Sequence, residues 1–216
     1  MTTPTTSIYL VLISFSLLLG SCGCPPDVKL GEVRLIKPDF LQFSGAESLT
    51  YTNATTSETS IFNGIDPGYN TSKLIVASLC SKPPISNQIS YYESIPFATK
   101  IYRGKGVDYQ LSYFYKTFDP VQGDTTSYVD ALNIAGSRFS LNILVSDRGK
   151  PALKSTPLVK QQDQARVIAD TIINGKRYQQ VYCHKDTPPS VFFTRDRGVV
   201  AFLRDGTWWH QTGFHP

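Results

Sequence analysis

The residues of this chain best suited to chemistry are three histidines, four cysteines, and a tryptophan pair amid many tyrosines. His184, His210 and His215 show no H-x-x-x-H spacing and no carboxylate at ligand distance along the chain, so no metal site is expected. Serines are plentiful, yet none sits in a nucleophile elbow or beside a local histidine and acid. Asp196 and Asp205 fall in turn sequences, Arg195-Asp196-Arg197 and Asp205-Gly206, and read as turn formers rather than an acid/base pair. The chain therefore offers no catalytic residue and no cofactor motif: no P-loop and no G-x-G-x-x-G.

The cysteines carry more information. None of Cys22, Cys24, Cys80 and Cys183 forms a C-x-x-C, which argues against a structural zinc site or a thioredoxin-like redox pair. Cys80 and Cys183 each end a strand-like run, Lys73 to Cys80 and Tyr178 to Cys183. A bridge between them would close a loop of roughly a hundred residues and stabilise by a few kcal/mol. The competing reading is two small buried hydrophobes.

Aromatic side chains offer a binding surface. Tyr91, Tyr92, Tyr109, Tyr113 and Tyr115, with Trp208 and Trp209, have the chemistry to line a concavity or stack on sugar rings. At strand spacing the same residues more often form core and cross-strand pairs. Trp208 and Trp209 are neighbours, so on a strand one points inward and the other outward. The outward ring is the first to test for ligand contact. The formal net charge of +4 is mild, and Lys and Arg are scattered along the chain. A nucleic-acid partner, which would favour a concentrated basic stripe, is not expected.

These residues must be positioned by strands. Val107 to Phe118 alternates, with Tyr109, Leu111, Tyr113 and Tyr115 on one face. Arg138 to Val145 alternates likewise, and Ala135-Gly136-Ser137 before it predicts an antiparallel neighbour in Ser127 to Ile134. Earlier segments at Val33 to Ile36, Ser48 to Thr52, Thr59 to Phe62, Lys73 to Cys80, Gln88 to Ser94 and Phe97 to Arg103 are shorter and broken by Pro, Gly and Asn. Lys160 to Ala169 is the single place for a short helix. The C-terminal third is a meander: Val167 to Ile173, the Asn174-Gly175 turn, Lys176 to His184, then Val191 to Thr194, Gly198 to Leu203 and Thr207 to Gln211. The expected fold is all-β, or β-rich with at most one short helix: a single curved antiparallel sheet, half-barrel or sandwich-like.

The start of the chain speaks of location. Ile8 to Leu19 is an uncharged apolar run of a length typical of a signal-peptide core and too short for a membrane-spanning helix, which needs about 20 residues. The following Leu19-Gly20-Ser21-Cys22 resembles the lipobox of bacterial lipoproteins, which implies cleavage before Cys22 and a lipid on its thiol. The n-region departs from that pattern in having no Lys or Arg. The tail resembles the closing hairpins of uncharacterised Gram-negative lipoproteins. The residues that carry the likeness are Ile172-Ile173-Asn174-Gly175-Lys176-Arg177-Tyr178, Val199-Val200-Ala201-Phe202, and Asp205-Gly206-Thr207-Trp208-Trp209. Such tails occur in curved sheets similar to outer-membrane lipoprotein carriers.

The expected organisation is a signal peptide at 1–21, a lipidated tether at 22–32 and one β-rich domain at 33–216. The resemblance implies an envelope lipoprotein held at the outer membrane through Cys22, with a non-enzymatic binding or structural role. The alternatives are a carrier or sensor that holds a lipid or other apolar ligand in a sheet concavity, and a secreted hydrolase; Tyr113, Tyr115, Trp208 and Trp209 are the expected contacts for a lipid or glycan ligand.

Overall fold

The computed structural model describes residues 27–65, 70–78, 89–104, 109–118, 129–146 and 164–216. Cys22, Cys24 and Cys80 lie outside the described residues, as do the leader and residues 160–163 of the segment expected as a helix.

The chain is all-β. In order, its strands are β1 (Val28–Val33), β2 (Ser48–Asn53), β3 (Thr59–Ile65), β4 (Asn70–Ser78), β5 (Ile89–Gly104), β6 (Gln110–Phe118) and β7 (Val129–Ala135). There follow β8 (Ser140–Ser146), β9 (Ala165–Ile173), β10 (Lys176–His184), β11 (Val191–Thr194), β12 (Gly198–Arg204) and β13 (Thr207–His215). Eleven of them run in one antiparallel path, β8-β7-β6-β5-β3-β2-β13-β12-β11-β10-β9, with β1 and β4 attached to β5. The path curls until its ends meet: the Gln164 amide donates to the Asn142 carbonyl at 3.1 Å, and His184 Nε2 lies 2.9 Å from the Ser140 carbonyl. The result is a nearly closed, barrel-like sheet.

Local chemistry explains most of this path. Asn174 and Gly175 both take positive φ, 49° and 75°, which is the two-residue hairpin turn that matches the twist of its strands. The C-terminal meander β9 to β13 is built from such local turns. It joins the N-terminal half through β13 and β2, whose register runs from Trp209 opposite Asn53 to His215 opposite Ser48.

Four sequence expectations change. Strand pairing begins at Val28, inside the segment expected to be a tether, and β1 lies parallel to β5. A register shift between Lys29 and Gly31 interrupts its alternation and hides it in the sequence. The two segments divided at Pro96 are one strand, β5. Pro96 falls in the register shift of the β4–β5 pairing, between the pairs Ser72–Ser94 and Asn70–Phe97 and just before β5 passes to β6 and β3, so no ladder amide is needed from it. No helix forms from residue 164 onward, because β10 recruits Ala165–Ile173 as its partner. Finally, β13 extends through His215, so the last histidines belong to the sheet.

The inner face is filled by the protein's own side chains. Tyr51, Tyr102, Tyr113, Tyr115, Phe62, Phe193 and Phe202 are essentially inaccessible to solvent. Phe202 sits amid rings: Tyr51 at 5.1 Å, Tyr109 stacked at 5.1 Å, and Trp209 parallel at 6.4 Å. A buried tyrosine hydroxyl usually finds a partner. Tyr51 donates to the Val199 carbonyl at 2.6 Å, Tyr115 to the Lys37 carbonyl at 2.7 Å, and Tyr113 accepts from the Val199 amide at 3.0 Å.

The connection between β1 and β2, a plug loop, completes this core. Phe40, Leu41 and Phe43 are buried, with Phe40 against Tyr115 and Tyr182, and Phe43 against Tyr113. Two buried carboxylates fasten it. Asp130 Oδ2 accepts from the amides of Ile36 and Lys37, both at 2.7 Å. Glu47 accepts from the Ser44 hydroxyl at 2.8 Å, the Gly45 amide at 2.7 Å and the Tyr102 hydroxyl at 2.6 Å. Burial alone would raise the Glu47 pKa, but these donors outweigh it and hold the carboxyl at about 2. For Asp130 burial wins, and its pKa lies above the usual carboxylate value.

Candidate binding cleft

The structure places the expected site residues apart. Tyr113 and Tyr115, expected as ligand contacts, are fully buried inside the barrel, packed against Phe43 and Phe40 respectively. Trp209 is the inward member of the pair, 6% exposed. It reaches a depression of about 230 Å³ that it shares with Arg204, Asp205 and Glu58. Trp208 is the outward member, half-buried on the outer face between Phe192 at 5.3 Å and His210 at 6.3 Å. Burial lowers the pKa of His210.

Cys183 is a buried free thiol, 3.4 Å from Arg166 Nε, while its suggested partner Cys80 lies outside the described residues. His184 bonds to a main-chain carbonyl and joins the two ends of the barrel path. Among the described residues, no group of three or more His, Cys, Asp or Glu is disposed to hold a metal ion.

A larger feature lies outside the barrel. The first half of β10, the turn between β11 and β12, and Gln42 border a cleft of about 810 Å³. Its walls carry four cations, Lys176, Arg177, Arg195 and Arg197, against one carboxylate, Asp196. The amides of Gln179 and Gln180 and the ring of Tyr178 share the lining.

Each wall has a structural cause. The Asn174-Gly175 turn delivers Lys176 and Arg177 at the head of β10. Gln180 then takes φ 52°, a left-handed conformation within a strand that costs a non-glycine residue about 1 kcal/mol or more. It falls between the paired positions Gln179 opposite Asp170 and Val181 opposite Ile168. This kink breaks strict alternation, so Tyr178 and Val181 both pack in a small outer cluster with Val200, Phe192 and Trp208.

Across the cleft, Arg195 is fixed on the plug loop. Its Nε donates to the Phe40 carbonyl at 3.0 Å, its guanidinium lies 4.9 Å above the Phe40 ring, and its carbonyl accepts from the Gln42 amide at 2.9 Å. Thr194 is 2% exposed, and its buried hydroxyl has no hydrogen-bond partner. Counter-charges are present but incomplete. Arg177 pairs with Asp170 on β9, and Arg197 lies 3.7 Å from Asp196. Both pairs are largely exposed, where such contacts contribute little.

None of these residues stood out in the sequence as a site. Lys176-Arg177 and Arg195-Asp196-Arg197 read as a hairpin turn and a tight turn with solvated charges. The fold brings the two basic pairs together across about twenty residues of intervening chain, which no local spacing encodes.

Comparisons with models of protein families, with curated proteins and with solved structures find no match to this chain.

Proposed function

We propose that this is an envelope lipoprotein, anchored at the outer membrane through Cys22, whose β-domain acts by binding rather than by catalysis. The observation that favours binding at the outer surface is the contrast between a barrel interior filled with aromatic side chains and a roomy, basic cleft outside it. A carrier of apolar ligands needs a largely apolar cavity of several hundred Å³. Here the equivalent space holds Tyr51, Tyr102, Tyr113, Phe193 and Phe202. For the hydrolase alternative, His184 is bonded to a main-chain carbonyl and His210 is stacked on Trp208, so neither is arranged as a general base. The domain therefore serves as a rigid body that displays its cleft at the end of a lipidated N-terminus.

Anchoring is tested by growing cells on radiolabelled palmitate. The wild-type chain takes up label and sediments with outer membranes, whereas Cys22→Ala carries none. An unlabelled wild type, or equal label on Cys22→Ala, defeats the anchoring.

A further inference from the structure

We propose that the cleft between β10 and the β11–β12 turn binds an anionic saccharide, a sugar unit or polymer bearing phosphate, sulfate or carboxylate groups. This deepens the binding role just described and rests on it. Its physical basis is the juxtaposition of four cations, side-chain amides and one tyrosine ring around a single cleft.

Three features define the ligand. The first is charge. Lys176 and Arg177 stand on one wall, Arg195 and Arg197 on the other, with Asp196 the single acid of the lining. Arginine presents planar pairs of N–H donors that suit phosphate, sulfate and carboxylate alike. Arg195 is held by Phe40 through its Nε and its ring contact, so little side-chain entropy is left to lose on binding.

The second feature is size. A cleft of about 810 Å³ far exceeds a single inorganic anion and lies in the range that takes a ligand of several rings.

The third is the polar remainder. Gln42, Gln179 and Gln180 carry amides that both donate and accept, as ring hydroxyls require. Thr194 adds a buried hydroxyl without a partner at the cleft wall. Tyr178 offers a half-buried ring of the kind on which sugars stack. The lining includes no aliphatic side chain that would seat an acyl tail, which favours a soluble or polymeric sugar over a lipid. The left-handed Gln180 further marks the cleft floor as a place where the backbone is held in an unfavourable conformation.

The test uses the full chain in non-ionic detergent and isothermal titration with three probes: a heparin-derived hexasaccharide, neutral maltohexaose and inorganic phosphate. The charged hexasaccharide binds, its affinity falls steeply with salt, and the other two bind at least about tenfold more weakly. Lys176→Gln combined with Arg197→Gln weakens the hexasaccharide by about tenfold or more. Arg138→Gln removes one exposed charge outside the cleft and leaves affinity unchanged. Thermal unfolding confirms that all variants are folded.

Equal binding of maltohexaose, or equal loss in Arg138→Gln, overturns the anionic-site assignment. Phosphate binding as tight as the hexasaccharide overturns the saccharide while sparing a simple anion site. Binding of none of the three probes overturns the inference, and palmitate labelling of Cys22 is unaffected by that result.

Discussion

The buried carboxylate of Glu47 fastens one end of the plug loop, and its removal has a calculable cost. It receives the hydroxyls of Ser44 and Tyr102 and the amide of Gly45. In Glu47→Gln the carboxamide keeps one acceptor oxygen, but its NH2 group meets donors that the second oxygen formerly received. The Glu47 pKa, about 2 against an ordinary value of 4.5, sets the scale. A depression of that size corresponds to about 3 kcal/mol of stability held by the ionised form. Because the folded-state pKa lies below the unfolded one, this stability is fully present above about pH 4.5 and is lost as pH falls through about 2. Glu47→Gln is therefore expected to cost about 3 kcal/mol at pH 7 and only about 1 kcal/mol at pH 3. Asp130 acts in the opposite sense, since its raised pKa lets the folded state take up a proton first. That contribution is common to both proteins and cancels in the difference. Urea unfolding of both proteins at pH 7, 5 and 3 measures the effect. A difference of the same size at pH 7 and pH 3, or below about 1 kcal/mol at pH 7, would refute the role given to the ionised carboxylate.

Two further outcomes follow from the same core. A Cβ on Gly64 would lie 1.9 Å from the Gly45 carbonyl oxygen, a backbone atom that cannot step aside, so Gly64→Ala should destabilise by about 3 kcal/mol or more. Gly206→Ala meets nothing within 4 Å and should cost only about 1 kcal/mol, from its φ of 78°; equal costs in denaturant melts would contradict this steric reading. The Cys183 thiol should resist Ellman's reagent in the folded protein and be alkylated after unfolding without reductant. Recovery of a Cys80–Cys183 linked peptide from that sample would instead restore the disulfide considered from the sequence.

Legibility followed the range of the interactions. β11 matches its expected span, Val191–Thr194, and the hairpin of β9 and β10 turns at Asn174-Gly175 as anticipated, because period-two alternation and left-handed turn residues act within a few positions. β6 and its tyrosines were equally plain. What stayed hidden depends on partners distant in sequence. β1 is a strand because β5 lies beside it, and β5 crosses Pro96 because its pairing with β4 shifts register there. Glu47 and Asp130 look like ordinary surface acids until the loop they fasten has folded over them. The cleft is the extreme case, since Gln42, Lys176 and Arg197 meet only when the plug loop, the β9–β10 hairpin and the β11–β12 turn converge.

That convergence also ties the cleft to the core. Phe40 is buried against Tyr115 and Tyr182 on one side and held by Arg195 on the other, so one residue belongs to both. Glu47 and Asp130 lock the two ends of the same loop, at Ser44 and Gly45 and at Ile36 and Lys37. A barrel packed with aromatic rings has little freedom to open, and a loop stapled to it by two buried carboxylates inherits that rigidity. Arg195 is thereby presented in one orientation before any ligand arrives. Binding at such a wall loses less conformational entropy than binding at free surface arginines. The filled interior and the open cleft are thus two parts of one arrangement: the aromatic rings packed inside the barrel hold rigid the surface that borders the cleft.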